Sequence, residues 1–199
     1  YAAKNHAVSG DYEVVQRTDT NTGEANAVLI DVNRFRNGDV TYHNGDNNAK
    51  TYAGVSYGGN TVEGNTFTLK GISEGKTLKY VSGGRSEGTA GGAVKNTVNL
   101  LGTGKGTLEE VYGGYVGNAA NAADATENTV NIAGGTAKNV YGGYTNGTGK
   151  TTKNTVNIGY TDDKGVFHDV ADGAKVMGTI YGGNGTDAAG NVLNVSGKL

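Results

Sequence analysis

The sequence predicts an all-β chain built as a parallel β-solenoid of about six coils, each roughly 30 residues long. Three observations carry this. A five-residue strand motif that opens on Asn recurs six times, a second motif closing on Gly-Gly alternates with it, and no segment has the apolar periodicity of a helix.

The first motif reads Asn65-Thr66-Phe67-Thr68-Leu69, Asn96-Thr97-Val98-Asn99-Leu100, Asn128-Thr129-Val130-Asn131-Ile132 and Asn154-Thr155-Val156-Asn157-Ile158. Weaker copies are Asn26-Ala27-Val28-Leu29-Ile30 and Asn191-Val192-Leu193-Asn194-Val195. The opening asparagines are 39, 31, 32, 26 and 37 residues apart, so loops absorb the variation around a fixed strand. Alternation puts Val98 and Leu100 on one face with Asn96, and Thr97 and Asn99 on the other. One such strand cannot bury its apolar face alone. Stacking the six copies, centred on Val28, Phe67, Val98, Val130, Val156 and Leu193, merges those faces into one core and brings the opening asparagines into an amide ladder.

The second motif reads Val55-Ser56-Tyr57-Gly58-Gly59, Val81-Ser82-Gly83-Gly84, Val111-Tyr112-Gly113-Gly114, Val140-Tyr141-Gly142-Gly143 and Ile180-Tyr181-Gly182-Gly183. Two strands per repeat is therefore the minimum. The paired glycines, and Gly134-Gly135, are expected at turns of positive φ. A β-propeller blade needs four strands, which two short motifs fit poorly.

Composition agrees with a repetitive, folded chain. Of 199 residues 36 are Gly, with no Pro, Cys or Trp, while 35% hydrophobic content suffices for a thin core. The net charge of -2 is spread along the chain, so there is no electrostatic footprint for nucleic acid or an anionic membrane, and no membrane contact is expected of this segment. The absence of Cys excludes a thiol nucleophile and a thiolate metal site, and suits an exported chain. The chain opens on Tyr1 and shows no signal pattern or long apolar run, and it reads as a piece of a longer protein.

Residues 55–199 carry the regular repeat, interrupted near 160–170, where a polar turn between strand formers predicts an inserted hairpin. Residues 1–54 hold only the Asn26 copy amid charged residues such as Arg34, Arg36, Asp39 and Asp46, and are read as a cap or as divergent coils of the same continuous domain.

Candidate chemistry is thin. Glu109-Glu110 and Asp162-Asp163 are adjacent pairs, and neighbouring residues on a strand face opposite ways rather than converging on a substrate. His6, His43 and His168 fall far apart, outside the repeats. Gly182-Gly183-Asn184-Gly185-Thr186-Asp187 matches the opening of a calcium-binding nonapeptide, but that site needs a tandem copy, and the positions after Gly143 and Gly114 lack the Asp. No catalytic residue, metal or cofactor is assigned, and an enzyme is not expected. The alternative is a carbohydrate-active β-helix enzyme, a polysaccharide lyase or hydrolase, which would need carboxylates paired across a cleft.

The run from Asn128 to Ile132, then Gly134 to Thr136, then Val140 to Tyr144 resembles repeats of large bacterial autotransporter adhesins, and the likeness spans roughly residues 55–195. That resemblance implies a right-handed parallel β-helix passenger, displayed on the surface of a Gram-negative cell through a C-terminal membrane barrel and used for adhesion or aggregation. It implies an extracellular segment whose partner is a host cell-surface glycan or protein, or another bacterial surface molecule. Exposed sheet edges at the ends of the stack would also favour end-to-end self-association.

The candidate binding residues are Tyr112, Tyr141 and Tyr181, which share one motif position, with Tyr115 and Tyr144 nearby. Each follows an inward Val or Ile, so alternation turns the rings outward into a stacked row, offered as flat faces to sugars or a protein partner.

Overall fold

The computed structural model describes residues 12–18, 25–31, 38–42, 49–161, 167–168 and 174–195, with side chains described for 51–159 and 174–195. Every regular element among them is a strand. The chain is a parallel β-solenoid, with three strands in each complete coil, one more than the minimum of two.

A long sheet stacks Ala49–Ser56, Thr77–Ser86, Thr107–Val116 and Thr136–Thr145, and both Lys175–Val176 and Ile180–Asn184 pair in parallel with the last of these. A second sheet, the asparagine sheet, stacks Gly38–Tyr42, Thr66–Ile72, Thr97–Leu100, Thr129–Ile132, Thr155–Ile158 and Val192–Val195. The third strand of each coil, which has no apolar alternation long enough to read in sequence, is two residues long: Val62–Glu63, Ala93–Val94 and Ala125–Thr126. The shaft makes about four turns. Six rungs stack in the asparagine sheet, but only three coils carry the short strand, so complete coils are fewer than six.

The displaced copy is the one centred on Val28. Ala25–Asp31 pairs antiparallel with Tyr12–Thr18, and the rung expected of it is filled by Gly38–Tyr42, with a register break between Val40 and Thr41. Six residues join Tyr12–Thr18 to Ala25–Asp31, so closing that hairpin costs far less chain entropy than bringing Ala25–Asp31 against a strand some 40 residues away. A short antiparallel pair, Tyr160–Thr161 with Phe167–His168, comes along the chain between the last two strands of the asparagine sheet, which pair directly with each other.

The other five copies stack in register. Val98 sits opposite Phe67 and Val130, then Val156 and Leu193 follow. The inward side chains of the first four meet Leu78, Val81, Leu108, Val111, Ala137 and Val140 of the long sheet in one core, while Leu193 and Val195 of the end copy are exposed. A smaller cluster of Ala93, Ala125 and Val116 fills the corner beneath the short sheet.

The amide ladder forms as the repeats imply. Asn65, Asn96, Asn128 and Asn154 are fully buried. Each Nδ2 donates to the next Oδ1, at 3.0, 3.1, 3.0 and 3.0 Å up to Asn191. The same Oδ1 also accepts the preceding asparagine's backbone N–H, at 2.9–3.1 Å. The second Nδ2 hydrogen goes to a main-chain carbonyl one coil back: Val62, Ala93, Ala125 and Thr151 accept from Asn96, Asn128, Asn154 and Asn191. Asn96, Asn128 and Asn154 thus stitch the short sheet to the asparagine sheet with both Nδ2 hydrogens donated. A second ladder runs along the outer face through Thr68, Asn99, Asn131, Asn157 and Asn194.

The paired glycines serve this ladder, not turns. Gly83-Gly84, Gly113-Gly114, Gly142-Gly143 and Gly182-Gly183 lie inside long-sheet strands, and none has positive φ. Both members of a pair face the ladder: a Cβ on Gly113 would lie 3.0 Å from Asn128 Cβ, and one on Gly114 would lie 2.5 Å from its Nδ2. The turn reading holds for Gly135 and Gly59, with φ of 85° and 110°. The latter shows that Val55-Ser56-Tyr57-Gly58-Gly59 is not a copy of the second motif. The true counterpart in that coil is Tyr52-Ala53-Gly54-Val55, paired with Ser82 to Arg85.

A third conserved-in-register feature is the left-handed residue that turns the chain into each ladder position. Gly64, Lys95, Glu127, Lys153 and Gly190, each just before a ladder asparagine, have φ of 54–70°.

Candidate functional site

Strand alternation alone would put Tyr112 and Tyr115 on opposite faces, since they are three residues apart. Two consecutive inward glycines between them break the alternation and return the chain to the same outer side. The long sheet therefore carries two tyrosine columns rather than one.

In the first column Tyr112 pairs with Tyr141 and Tyr141 with Tyr181. Their ring centroids are 4.8 and 5.1 Å apart, at interplanar angles of 12° and 6°. In the second, Tyr115 pairs with Tyr144, with centroids 5.0 Å apart at 6°. Between columns the rings meet edge to face, at 74° for Tyr112 with Tyr115 and 81° for Tyr141 with Tyr144. The two stacks lean against each other as a herringbone, the arrangement that aromatic quadrupoles favour.

The coil below breaks both columns and repairs them. Ser82 and Arg85 stand where Tyr112 and Tyr115 stand one coil on. The Arg85 guanidinium lies 4.4 Å from the Tyr80 ring centroid and 4.0 Å from that of Tyr115, replacing a ring in the stack with a planar cation. Tyr80 also meets Tyr112 edge on, at 5.9 Å. Glu87 pairs with Arg85 and neutralises it. Tyr80, missed by motif reading because it precedes the motif, thus belongs to the site. Its only sequence signal is that it accompanies the one coil lacking both column tyrosines.

Burial pushes the Tyr112 hydroxyl well above the usual tyrosine range, aided by its 2.7 Å hydrogen bond to Glu110 Oε2. Burial likewise raises Tyr80, Tyr115 and Tyr141, with Arg85 opposing the rise at Tyr80 and Tyr115.

All five candidate tyrosines are brought together, but their ring faces are spent on each other. Tyr112 is only 5% exposed, Tyr115, Tyr141 and Tyr144 are half-buried, and Tyr181, at 38%, offers the freest ring. Along the strip a partner would meet ring edges and hydroxyls, not the flat faces that sequence alone suggests.

The remaining candidates do not converge. Glu110 is engaged by Tyr112. Asp187 uses its carbonyl for Thr151 N–H at 2.8 Å and its carboxylate for Lys150 Nζ at 3.3 Å. His6, His43, Asp162 and Asp163 lie outside the described residues, and of His168 only the strand is described. Among the described residues no three His, Asp or Glu side chains gather.

Comparison with family models, with curated proteins and with solved structures finds no match.

Proposed function

We propose that this chain is a non-catalytic segment of the shaft of a bacterial cell-surface adhesin, displayed outside the cell, with the tyrosine strip as its adhesive face. The observation that carries the reading is the strip itself. Seven side chains, Tyr80, Arg85, Tyr112, Tyr115, Tyr141, Tyr144 and Tyr181, form one continuous outer stack on a rigid sheet. Aromatic rings with polar tips bury well against a partner and lose little entropy when already fixed. The partner is a host cell-surface glycan or protein, or another bacterial surface molecule, held through phenol hydroxyls and ring edges.

The resemblance of the repeats to autotransporter adhesins supports the same reading.

The test replaces Tyr115, Tyr141, Tyr144 and Tyr181 together with Phe, which keeps the stack and removes the hydroxyls. Adhesion to host cells or to a glycan array is expected to fall tenfold or more with an unchanged circular dichroism spectrum. Unchanged adhesion rejects the strip as the binding face, and release of reducing ends or unsaturated sugars from a polysaccharide by the unmodified chain rejects the non-catalytic reading.

A further inference from the structure

The chain has no Cys, no Trp and one Met, but 12 Tyr. Oxidising equivalents that reach it therefore find phenols before almost any other group. Five of those phenols stack ring on ring in the two columns, where neighbouring rings of successive coils are held 4.8–5.1 Å apart and within 12° of parallel.

We propose that these columns are a site of oxidative cross-linking, in which Tyr141 joins Tyr181 and Tyr115 joins Tyr144 when a haem peroxidase with hydrogen peroxide supplies the oxidant. Each phenol loses one electron and one proton to become a phenoxyl radical. Two radicals on adjacent rungs couple through ring carbons beside the hydroxyls, forming one carbon–carbon bond. The hydrogen on each coupling carbon leaves as a proton and a proton returns to each ring oxygen. Overall two tyrosines lose two hydrogens, and hydrogen peroxide takes them up as two waters.

Geometry selects the pairs. Tyr181 is exposed and Tyr115, Tyr141 and Tyr144 are half-buried, so an electron can leave from these rings, whereas Tyr112 is shut in. A radical formed anywhere in a stack has its nearest partner directly above or below, already oriented, which favours bonds within one molecule over bonds between molecules. The product is a staple between successive coils in a chain that has no cysteine with which to make one. The proposal does not depend on what the shaft binds.

The experiment treats the purified chain with a haem peroxidase and hydrogen peroxide, follows dityrosine fluorescence, and maps the linked peptides by mass spectrometry. The expected product is monomeric on a denaturing gel, carries the Tyr141–Tyr181 and Tyr115–Tyr144 links, each two hydrogens lighter, and melts at a higher temperature. A chain with Tyr141→Phe and Tyr144→Phe, which keeps both stacks, is expected to lose these links and at least fivefold of the fluorescence yield, while Tyr57→Phe keeps them. Coupling confined to links between molecules, links that persist in the urea-unfolded chain at the same pairs and yield, undiminished yield in the double variant, or no dityrosine at all would overturn the proposal.

Discussion

Two ladders of repeated side chains run along the same shaft, one inside and one outside, and they treat sequence differently. The inner ladder is Asn in five successive coils, at Asn65, Asn96, Asn128, Asn154 and Asn191. The outer column is Tyr52, Ser82, Tyr112, Tyr141 and Tyr181 through the same coils, and its neighbour is Val55, Arg85, Tyr115, Tyr144 and Asn184. The spacing is common to both, so strand pairing does not explain the contrast. Directionality does. Each interior amide of the ladder, Asn96, Asn128 and Asn154, donates twice and accepts twice in fixed directions, and a different side chain would strand buried donors at about 1–3 kcal/mol each. Ring stacking is tolerant, since a guanidinium or a tyrosine from another position can fill the gap.

The sharpest way to break the comparison is to place one methyl group against the inner ladder. Gly114→Ala puts a Cβ 2.5 Å from Asn128 Nδ2 and 2.6 Å from its Oδ1, so the amide must leave the line that joins Asn96 to Asn154. The expected loss is about 3–5 kcal/mol, read by urea denaturation, combining overpacking with unpaired amides. Position matters within the pair. The first glycine is replaced by a buried Ala53 in the coil Ala49–Ser56, whereas the second is Gly in all five coils, at Gly54, Gly84, Gly114, Gly143 and Gly183. A loss under about 1 kcal/mol at Gly114 would show that the ladder yields as easily as the outer stack.

The inner ladder was legible in sequence and much of the outer strip was not, for the same reason. Five Asn-x-Val-type strands with one period admit one inward face, so the stacked core and the ladder follow from alternation alone. The role of the glycine pair was hidden because its partner is a side chain about 12 residues away in sequence, for example Gly84 against Asn96, and composition suggests turns first. The same pair then hides the second tyrosine column, because alternation cannot place Tyr115 beside Tyr112 unless two inward residues follow one another. The Asn26 copy shows the converse failure. A motif match did not outweigh a nearby strand, Tyr12–Thr18, that pairs with it at lower entropic cost.

A smaller effect is expected where the outer strip has already been altered. Arg85→Ala removes a guanidinium that lies against the rings of both Tyr80 and Tyr115. The expected cost is about 1.5–3 kcal/mol, from two cation–π contacts in a largely dry setting and the lost packing of the side-chain stem. Arg85→Tyr puts back the residue found at the equivalent position in the next two coils, Tyr115 and Tyr144, and is expected to cost under about 1 kcal/mol. If the two variants lose equally in chemical denaturation, the strip is not interchangeable and the contrast between ladders fails.

The smallest effect is a gain, and it tests the corner that feeds both ladders. Lys153 is exposed and holds φ at 57°, a left-handed conformation that costs a side chain with a Cβ about 1–2 kcal/mol. The equivalent corner is Gly in the coils entering Asn65 and Asn191, where Gly64 and Gly190 adopt φ of 70° and 66° without that cost. Lys153→Gly relieves the strain and gives back roughly 0.5–1 kcal/mol through the freer unfolded chain, so the net expected change is a stabilisation of about 0.5–1 kcal/mol, or a rise of a few degrees in melting temperature. Gly190→Ala makes the reverse change in open space, since no atom lies nearer than 3.8 Å to the new Cβ, and its expected loss of about 1 kcal/mol is conformational alone. Opposite signs at these two corners, measured in the same denaturant series, tie the turn into each ladder to φ rather than to the Lys153 charge. A loss at Lys153→Gly would instead assign the corner's stability to that side chain.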